Sequence, residues 1–399
     1  MSLPPGPPGE LAPKRVAGWL RPAWVEVDLG AVTANVAYIR QVVAPASVCA
    51  VVKADGYGHG AVRAALAALA GGAARLGVAL AEEGHELRQA GIDAPVLILS
   101  EPPAEAMPMV VEDRLTASIY TPEGLAALLG AVRGHRAAHP GAPPVPLPVH
   151  IKVDTGMHRV GAAPARVIEL ARAVSAEPAV ELEGLFTHLA VADEPESSFT
   201  QGQLACFDAV VRALAAQGVR PPLLHAANSA GALCHVSARY QMVRPGIAVY
   251  GLAPAPCLLD APLVRPLRQA LSLKAAVSFA KEVEAGERLS YGLHYQLSER
   301  SVVATVPVGY ADGVPRRLCQ VGGEVLIGGR RRPVAGSVTM DQLLVDCGPG
   351  AEVRRGDEVV LLGRQGGEEI TPWEWAGRLG TIAYEVTCGL SPRLPRVYV

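Results

Sequence analysis

Between about residue 24 and residue 250 the chain alternates short apolar runs with longer stretches whose apolar positions recur every three or four residues. The short runs are "VCAVVKA" (48–54), "RLGVAL" (75–80), "APVLIL" (94–99) and "LTASIY" (115–120), then "PVHIKVD" (148–154), "LEGLFTHL" (182–189), "PLLHAAN" (222–228) and "IAVYGL" (247–252). Apolar runs of this length, bounded by turn residues, suit strands buried on both faces. Between them, "GAVRAALAALA", "AEEGHELRQA", "TPEGLAALLGAV", "APARVIELARAV" and "QLACFDAVVRALAAQG" carry the spacing of helices with one buried face. Two of these place proline near the helix start, where its missing N–H costs nothing. Strand–helix alternation repeated about eight times in roughly 230 residues predicts a parallel (β/α)8 barrel, here over residues 21–258. An open nucleotide-binding sheet would need a G-x-G-x-x-G turn after its first strand, and none is present.

Past a Pro-rich linker the texture changes. "LSLKAAVSFAKEVEAGERLSYG", "SVVATVPVGYADG", "GEVLIGGRRRPVAGSVTMDQLLVDCG" and "GDEVVLLG" are β-like and closely punctuated by turns, so 259–399 is expected to be a second, mostly β domain. The opening "MSLPPGPPGELAPKR" lacks a signal-peptide core and reads as a disordered tail over 1–20. A 50% hydrophobic content over 399 residues suits a large core. A net charge of −2 and a pI near 6.6 give no reason to expect nucleic acid or an anionic membrane as partner. No stretch approaches the ~18 uninterrupted apolar residues of a membrane span. The seven cysteines occur singly, without metal-ligand spacing, so no metal and a reducing, cytoplasmic location are expected.

In barrel enzymes the working residues sit at the carboxyl ends of the strands. Lys53, in "VVKADGYGHG", ends an apolar strand at such a rim, where a lysine can lose its proton and attack a carbonyl. The glycines behind it let backbone approach a flat ligand, and Tyr57 would point back toward that ligand if the chain is already helical. "HIKVDTGMHRVG" adds Lys152, Asp154 and Arg159, a residue type that holds anions bidentately. "GLFTHLA" ends on His188, and "HAANSAG" offers Asn228 and Ser229 before a short helix, where phosphates settle. "MVRPGIAVYG" supplies Arg244 and the amides of Gly246 and Ile247. Each signal alone fits a bland role: a rim lysine, a surface ion pair, a core histidine, an N-cap. Together they suggest a flat, phosphorylated, aldehyde-bearing cofactor.

With "LSYG", "VGYADG", "TMDQ" and "IAYEVTCGLSPRLPR" following in order, the chain resembles the alanine racemases from about residue 24 to its C-terminus. The resemblance implies a pyridoxal 5'-phosphate enzyme with a barrel and a β domain. It implies that Lys53 binds the cofactor's aldehyde and that Tyr57, Asn228, Ser229, Gly246, Ile247 and Tyr384 surround its phosphate. It sets Arg159 at the phenolic oxygen and the substrate carboxylate, His188 against the ring and Arg244 at the pyridine nitrogen. An arginine there only donates. The nitrogen then stays unprotonated, which should suppress transamination while leaving inversion of a stereocentre possible.

Racemisation needs a base on each face. The resemblance makes Lys53 one and Tyr291 of "LSYG" the other. A tyrosine's reference pKa is near 10, so Tyr291 would need nearby cations and hydrogen bonds, with His188 and Arg244 as candidates. The resemblance further implies a head-to-tail homodimer with shared sites, in which Tyr291, Met340 and Asp341 reach across to the partner's barrel. Tyr310 and Arg316 would narrow the access corridor, and Ser337 stands where some relatives have arginine. Lys152 matches a lysine carbamylated in several relatives. The expected reaction is interconversion of L- and D-alanine, supplying D-alanine for peptidoglycan. Three other readings are weighed against it. A broader-range racemase would turn over lysine or arginine as fast as alanine. A decarboxylase would carry a Gly-Gly-Gly phosphate loop and a glutamate at the ring nitrogen. A pyridoxal-phosphate carrier would be a barrel alone, without 259–399.

Overall fold

The computed structural model describes residues 20–141 and 145–399. The tail expected at 1–20 therefore lies outside the described residues, apart from Leu20. By its contacts the chain divides into two units, one spanning Leu29–Ala270 and the other made of the residues up to Asp28 together with Leu271–Val399.

Among its described residues the first unit holds eight parallel strands, which we number after the N-terminal strand β1 (Ala23–Val27) of the other unit. They are β2 (Ser47–Val51), β3 (Arg75–Val78), β4 (Val96–Ile98), β5 (Ala117–Ile119), β6 (Leu147–Lys152), β7 (Val180–Phe186), β8 (Leu223–His225) and β9 (Met242–Val243). Hydrogen-bonded ladders run β9-β2-β3-β4 and β5-β6-β7-β8. The two arcs join where Thr116 exchanges backbone bonds with Val96 and Ile98. They join again where the Gln241 amide donates to Leu224 O at 3.1 Å and the Arg244 amide to Ala227 O at 2.9 Å. The result is a closed parallel barrel whose strands β3, β4 and β5 are buried at every residue, as strands covered on both faces must be.

The helices follow from the pattern. Pro164–Ala176 buries Val167, Leu170, Ala171 and Val174, the i, i+3, i+4, i+7 face. Pro122–Ala138 starts at Thr121, whose hydroxyl accepts from the Gly124 amide, with proline in the first turn.

One expected strand is absent. Residues 247–252 form a buried 3-10 turn, Ile247–Tyr250, and the eighth strand is the two-residue β9 before it. Pro245 and Gly246 break the ladder, and the Gly246 and Ala248 amides turn onto the Ser229 hydroxyl instead of a neighbouring strand. Periodicity alone does not separate a short buried strand from a short buried turn.

The second unit is β-rich. β1 pairs antiparallel with Leu271–Ala276 and parallel with Arg396–Tyr398. Its residues 23–27 are thus built into this sheet, although the sequence pattern groups 21–258 together. Phe279–Val283, Ser301–Val306 and Leu343–Asp346 form a second sheet of three strands. Two short helices, Pro372–Leu379 and Ala383–Cys388, follow near the C-terminus. Among the described residues, no helix is long and apolar enough to cross a membrane.

Candidate active site

β2 delivers Lys53 to the carboxyl-terminal mouth of the barrel, and the chain then makes one left-handed turn. Ala54, Asp55, Gly56 and Tyr57 have φ of 53°, 51°, 60° and 55°. For residues other than glycine this costs about 1–2 kcal/mol each, so the surroundings must hold it. Glu83 does: its carboxylate accepts from the Ala54 amide at 2.7 Å and from the Ala79 and Leu80 amides at 2.7 and 3.2 Å. Asp55 accepts from the Ala61 amide at 2.9 Å. Tyr57 thus sits in a helical turn, but a left-handed one. The turn buries its ring beside Tyr250, centroids 5.2 Å apart.

The Tyr57 hydroxyl meets the loop after β9. A methyl group on Gly246 would sit 2.2 Å from Tyr57 Oη, so only glycine lets this hydroxyl and the backbone converge. Ser229 Oγ lies in the same place, accepting from the Gly246 amide at 2.9 Å and the Ala248 amide at 3.3 Å. Ile247 is buried between those amides. Asn228 caps the helix Ser229–Cys234, its Oδ1 accepting from the Gly231 amide at 2.9 Å. Two hydroxyls and the Gly246 and Ala248 amides thus cluster at one point, the residue types that hold a phosphate. These residues fit pyridoxal phosphate, because Lys53 belongs to the same turn as Tyr57.

Arg244 is buried at 3% exposure and in contact on several sides. Its Nη1 donates to His225 Nδ1 at 2.7 Å, and its Nη2 to Thr187 O at 2.8 Å, Ala226 O at 3.1 Å and His188 Nδ1 at 3.3 Å. Burial lowers its pKa to about 10, which leaves it a cation at neutral pH. Burial, then the charges of Arg244, Lys152, Arg159 and Lys53, push the His188 pKa well below the usual imidazole value. His188 is therefore neutral at pH 7, whereas Arg244 carries charge.

Lys152 sits over the Phe186 ring and donates to Leu99 O at 3.0 Å. Burial first, and then the cations Arg244, Arg159 and Lys53, lower its pKa to about 7. Arg159 is exposed, on a loop braced by Asp154, which accepts from the Gly156 and His158 amides at 3.0 Å each.

Sequence reasoning missed the groups behind this mouth: Glu83, Thr187, His225, His150, Glu183 and Arg75. A signal existed for two of them. His150 lies two residues before Lys152 on β6, hence on the same inward face, and His225 closes β8.

In the β-rich unit, Tyr291 opens the 3-10 turn Tyr291–Leu293 and is 74% exposed. Ser337 braces that turn: its Oγ donates to Tyr291 O at 2.8 Å, and its carbonyl accepts from Ser290 Oγ at 2.6 Å. Three residues on, Met340 is exposed, and its carbonyl accepts from the Ala311 amide while Thr339 O accepts from Tyr310 N. Asp341 pairs with Arg393 at 2.6 Å. Tyr291, Tyr310, Met340 and Asp341 are thus gathered by one segment, 337–341. Arg316 begins the 3-10 stretch Arg316–Val321, and Tyr384 lies in the helix Ala383–Cys388.

A family model described as "Alanine racemase, N-terminal domain" matches residues 27–254, and "Alanine racemase, C-terminal domain" matches 270–398. The alanine racemase of Symbiobacterium thermophilum is 49% identical over 380 residues, covering 95% of this chain and 97% of its own. That of a Nostoc species is 41% identical over 379 residues, covering 94% and 96%. The crystal structure of alanine racemase from D-cycloserine-producing Streptomyces lavendulae superposes with a TM-score of 0.87 at 37% identity, covering 96% of this chain and 98% of that one. The E. faecalis alanine racemase gives 0.86 at 38%, covering 96% and 100%.

Proposed function

This chain belongs to the alanine racemase family, and from that premise we propose that Lys53 and Tyr291 move the α-proton of alanine on opposite faces. The enzyme is an isomerase that interconverts L- and D-alanine, the latter serving peptidoglycan. What carries the mechanistic reading is the convergence of Tyr57 Oη, Ser229 Oγ and the Gly246 and Ala248 amides on the turn that bears Lys53. Pyridoxal phosphate, when bound, supplies an aldehyde carbon and an electron-withdrawing ring.

The residues of this chain do the rest. Tyr57, Ser229, Asn228, Gly246, Ile247 and Tyr384 would hold the phosphate, and Arg244 and His188 would hold the ring, Arg244 at its nitrogen. Arg159 orients the phenolic oxygen and the substrate carboxylate. The Lys53 amine would take or return the proton at one face of the α-carbon. The Tyr291 oxygen would do so at the other. Met340, Asp341 and Tyr310 line the substrate side. A head-to-tail homodimer fits the exposure of Tyr291, Leu293, Tyr310 and Met340, a patch of large apolar side chains that a second copy would cover. Lys152, with its pKa of about 7, has free amine at neutral pH to add to carbon dioxide, forming an N–C bond and releasing one proton to water. Seven free thiols support a reducing, cytoplasmic location.

The test is racemisation by the purified holoenzyme across alanine, serine, lysine and arginine. Alanine should lead by about 10² or more over the long basic substrates, an estimate from the cost of misplacing a side chain in a tight pocket. Equal rates on lysine or arginine favour the broader-range alternative, and full alanine activity in Lys53→Ala overturns the mechanism.

A further inference from the structure

Behind Arg244 a line of polar side chains, with both histidines fully buried and Glu183 partly exposed, crosses the barrel interior. Arg244 Nη1 is 2.7 Å from His225 Nδ1, His225 Nε2 is 2.8 Å from His150 Nδ1, and His150 Nε2 is 2.9 Å from Glu183 Oε2. Arg75, the first residue of β3, grips the same carboxylate at 2.6 and 2.8 Å. Arg75 and Glu183 line a charged cavity of about 470 Å³ with Arg88 and Asp93. None of the roles assigned above uses His225, His150, Glu183 or Arg75.

We propose that Glu183, held by Arg75, is a positioning residue for catalysis: it is the acceptor end of a hydrogen-bond chain whose donor end is Arg244, and through His150 and His225 it holds the Arg244 guanidinium in place. The proposal rests on the reading that Arg244 meets the cofactor's ring nitrogen. The chain itself is argued from donor and acceptor inventory. An arginine only donates, so His225 Nδ1 accepts and the imidazole proton is on Nε2. That proton points at His150 Nδ1, so His150 also carries its proton on Nε2, which points at Glu183. A carboxylate only accepts, so the last link agrees with the first. Reversing one histidine would set two N–H groups against each other at under 3 Å in a dry interior.

The surroundings keep each ring in this arrangement. His150 and His225 are fully buried, and burial lowers both imidazole pKa values, leaving them neutral. For Glu183, burial would raise the carboxyl, but the hydrogen bonds from His150 and Arg75 outweigh it and hold the pKa at about 2. Phe186 stacks flat on His225, 4.7 Å away at 6°, and Arg244 lies 5.0 Å over the same ring. Gly184 leaves room for the His150 imidazole, since a methyl there would sit 2.6 Å from it.

The test reads tautomers and rate separately. In holoenzyme labelled with ¹⁵N-histidine, long-range proton–nitrogen spectra should show His150 and His225 with the proton on Nε2, unchanged from pH 7 to 9. Glu183→Gln puts an amide, both donor and acceptor, at the end of the chain. It should give mixed His150 and His225 tautomers and lower kcat about tenfold, the equivalent of one hydrogen bond, with KM for alanine changed less than twofold. Glu183→Asp, still an acceptor only, should restore the wild-type tautomers. A wild-type His225 with its proton on Nδ1 overturns the proposal. So does a Glu183→Gln enzyme whose tautomers mix while kcat stays at wild type, or one that loses kcat with both tautomers intact. If Glu183→Gln does not fold, the wild-type tautomers and Glu183→Asp decide the matter alone. Failure of the underlying reading would look different: Arg244→Lys would keep full activity with the histidine tautomers undisturbed.

Discussion

Gly246→Ala is the sharpest probe of the phosphate cradle. The added methyl would stand 2.2 Å from Tyr57 Oη and 2.8 Å from its Cζ. Contact distances between such atoms are about 3.5 Å, so the ring or the loop must give by roughly 1 Å. Neither is loose: Tyr57 is 8% exposed, its ring packs on Tyr250, and its backbone sits in the left-handed turn braced by Glu83. Overpacking of this kind costs about 1–3 kcal/mol, equivalent to roughly 5- to 150-fold in affinity. The cost divides between the folded chain and its grip on the cofactor, so both must be measured. Cofactor titration by fluorescence should show weaker binding, and thermal unfolding of the cofactor-free protein should show the remainder. The paired variant identifies the cause. In a Tyr57→Ala background the three atoms nearest the methyl are gone, so Gly246→Ala should add less than about 0.5 kcal/mol there. Wild-type affinity and stability in Gly246→Ala, or full additivity with Tyr57→Ala, would refute the claim that hydroxyl and backbone converge at this point.

Other outcomes follow from the same geometry. Lys152 in the folded chain gives up its proton near pH 7, against 10.5 for an ordinary lysine, so between those values the unfolded chain holds more protons. Its drag on stability is full below pH 7 and lifts as pH rises toward 10.5; in buffer freed of carbon dioxide, Lys152→Met should therefore gain Tm over wild type at pH 6, by a margin that shrinks at pH 9. A pH-independent difference would contradict the lowered pKa. Tyr291→Phe should cut kcat by about 10² or more, the usual contribution of a general base, and solvent deuterium should then reach the α-carbon from one face only, as read by NMR of the product. Ser337→Ala removes the 2.8 Å bond to Tyr291 O and should lower Tm by about 2–4 °C, for a loss near 1 kcal/mol, while Ser337→Thr keeps the donor and should retain Tm.

The barrel was legible because strand ends and buried helix faces are local patterns. "VHIKVD" and "GLFTHL" announce their strands, and "PARVIELARAV" announces its buried face at single-residue resolution. The region around residue 247 was not. A strand there satisfied the apolar run equally well, and the choice fell to Ser229, whose hydroxyl lies near the Gly246 and Ala248 amides only once the barrel has closed. Glu83 was invisible for the same reason. As the third residue of a helix it looks like an ordinary acidic first-turn residue, yet it reaches the Ala54 amide of the neighbouring loop.

The sequence by itself determined the alternation of strand and helix, the placing of Lys53, Lys152 and His188 at strand ends, and the change to β texture in the C-terminal third. Each rests on periodicity and on residues adjacent in the chain. The hand of the turn after Lys53, the joining of residues 23–27 to the distant strand Leu271–Ala276, and the line from Arg244 to Glu183 were decided only by the tertiary structure. These depend on which donor meets which acceptor across sequence gaps of tens to hundreds of residues, and a hydrogen bond extends only about 3 Å.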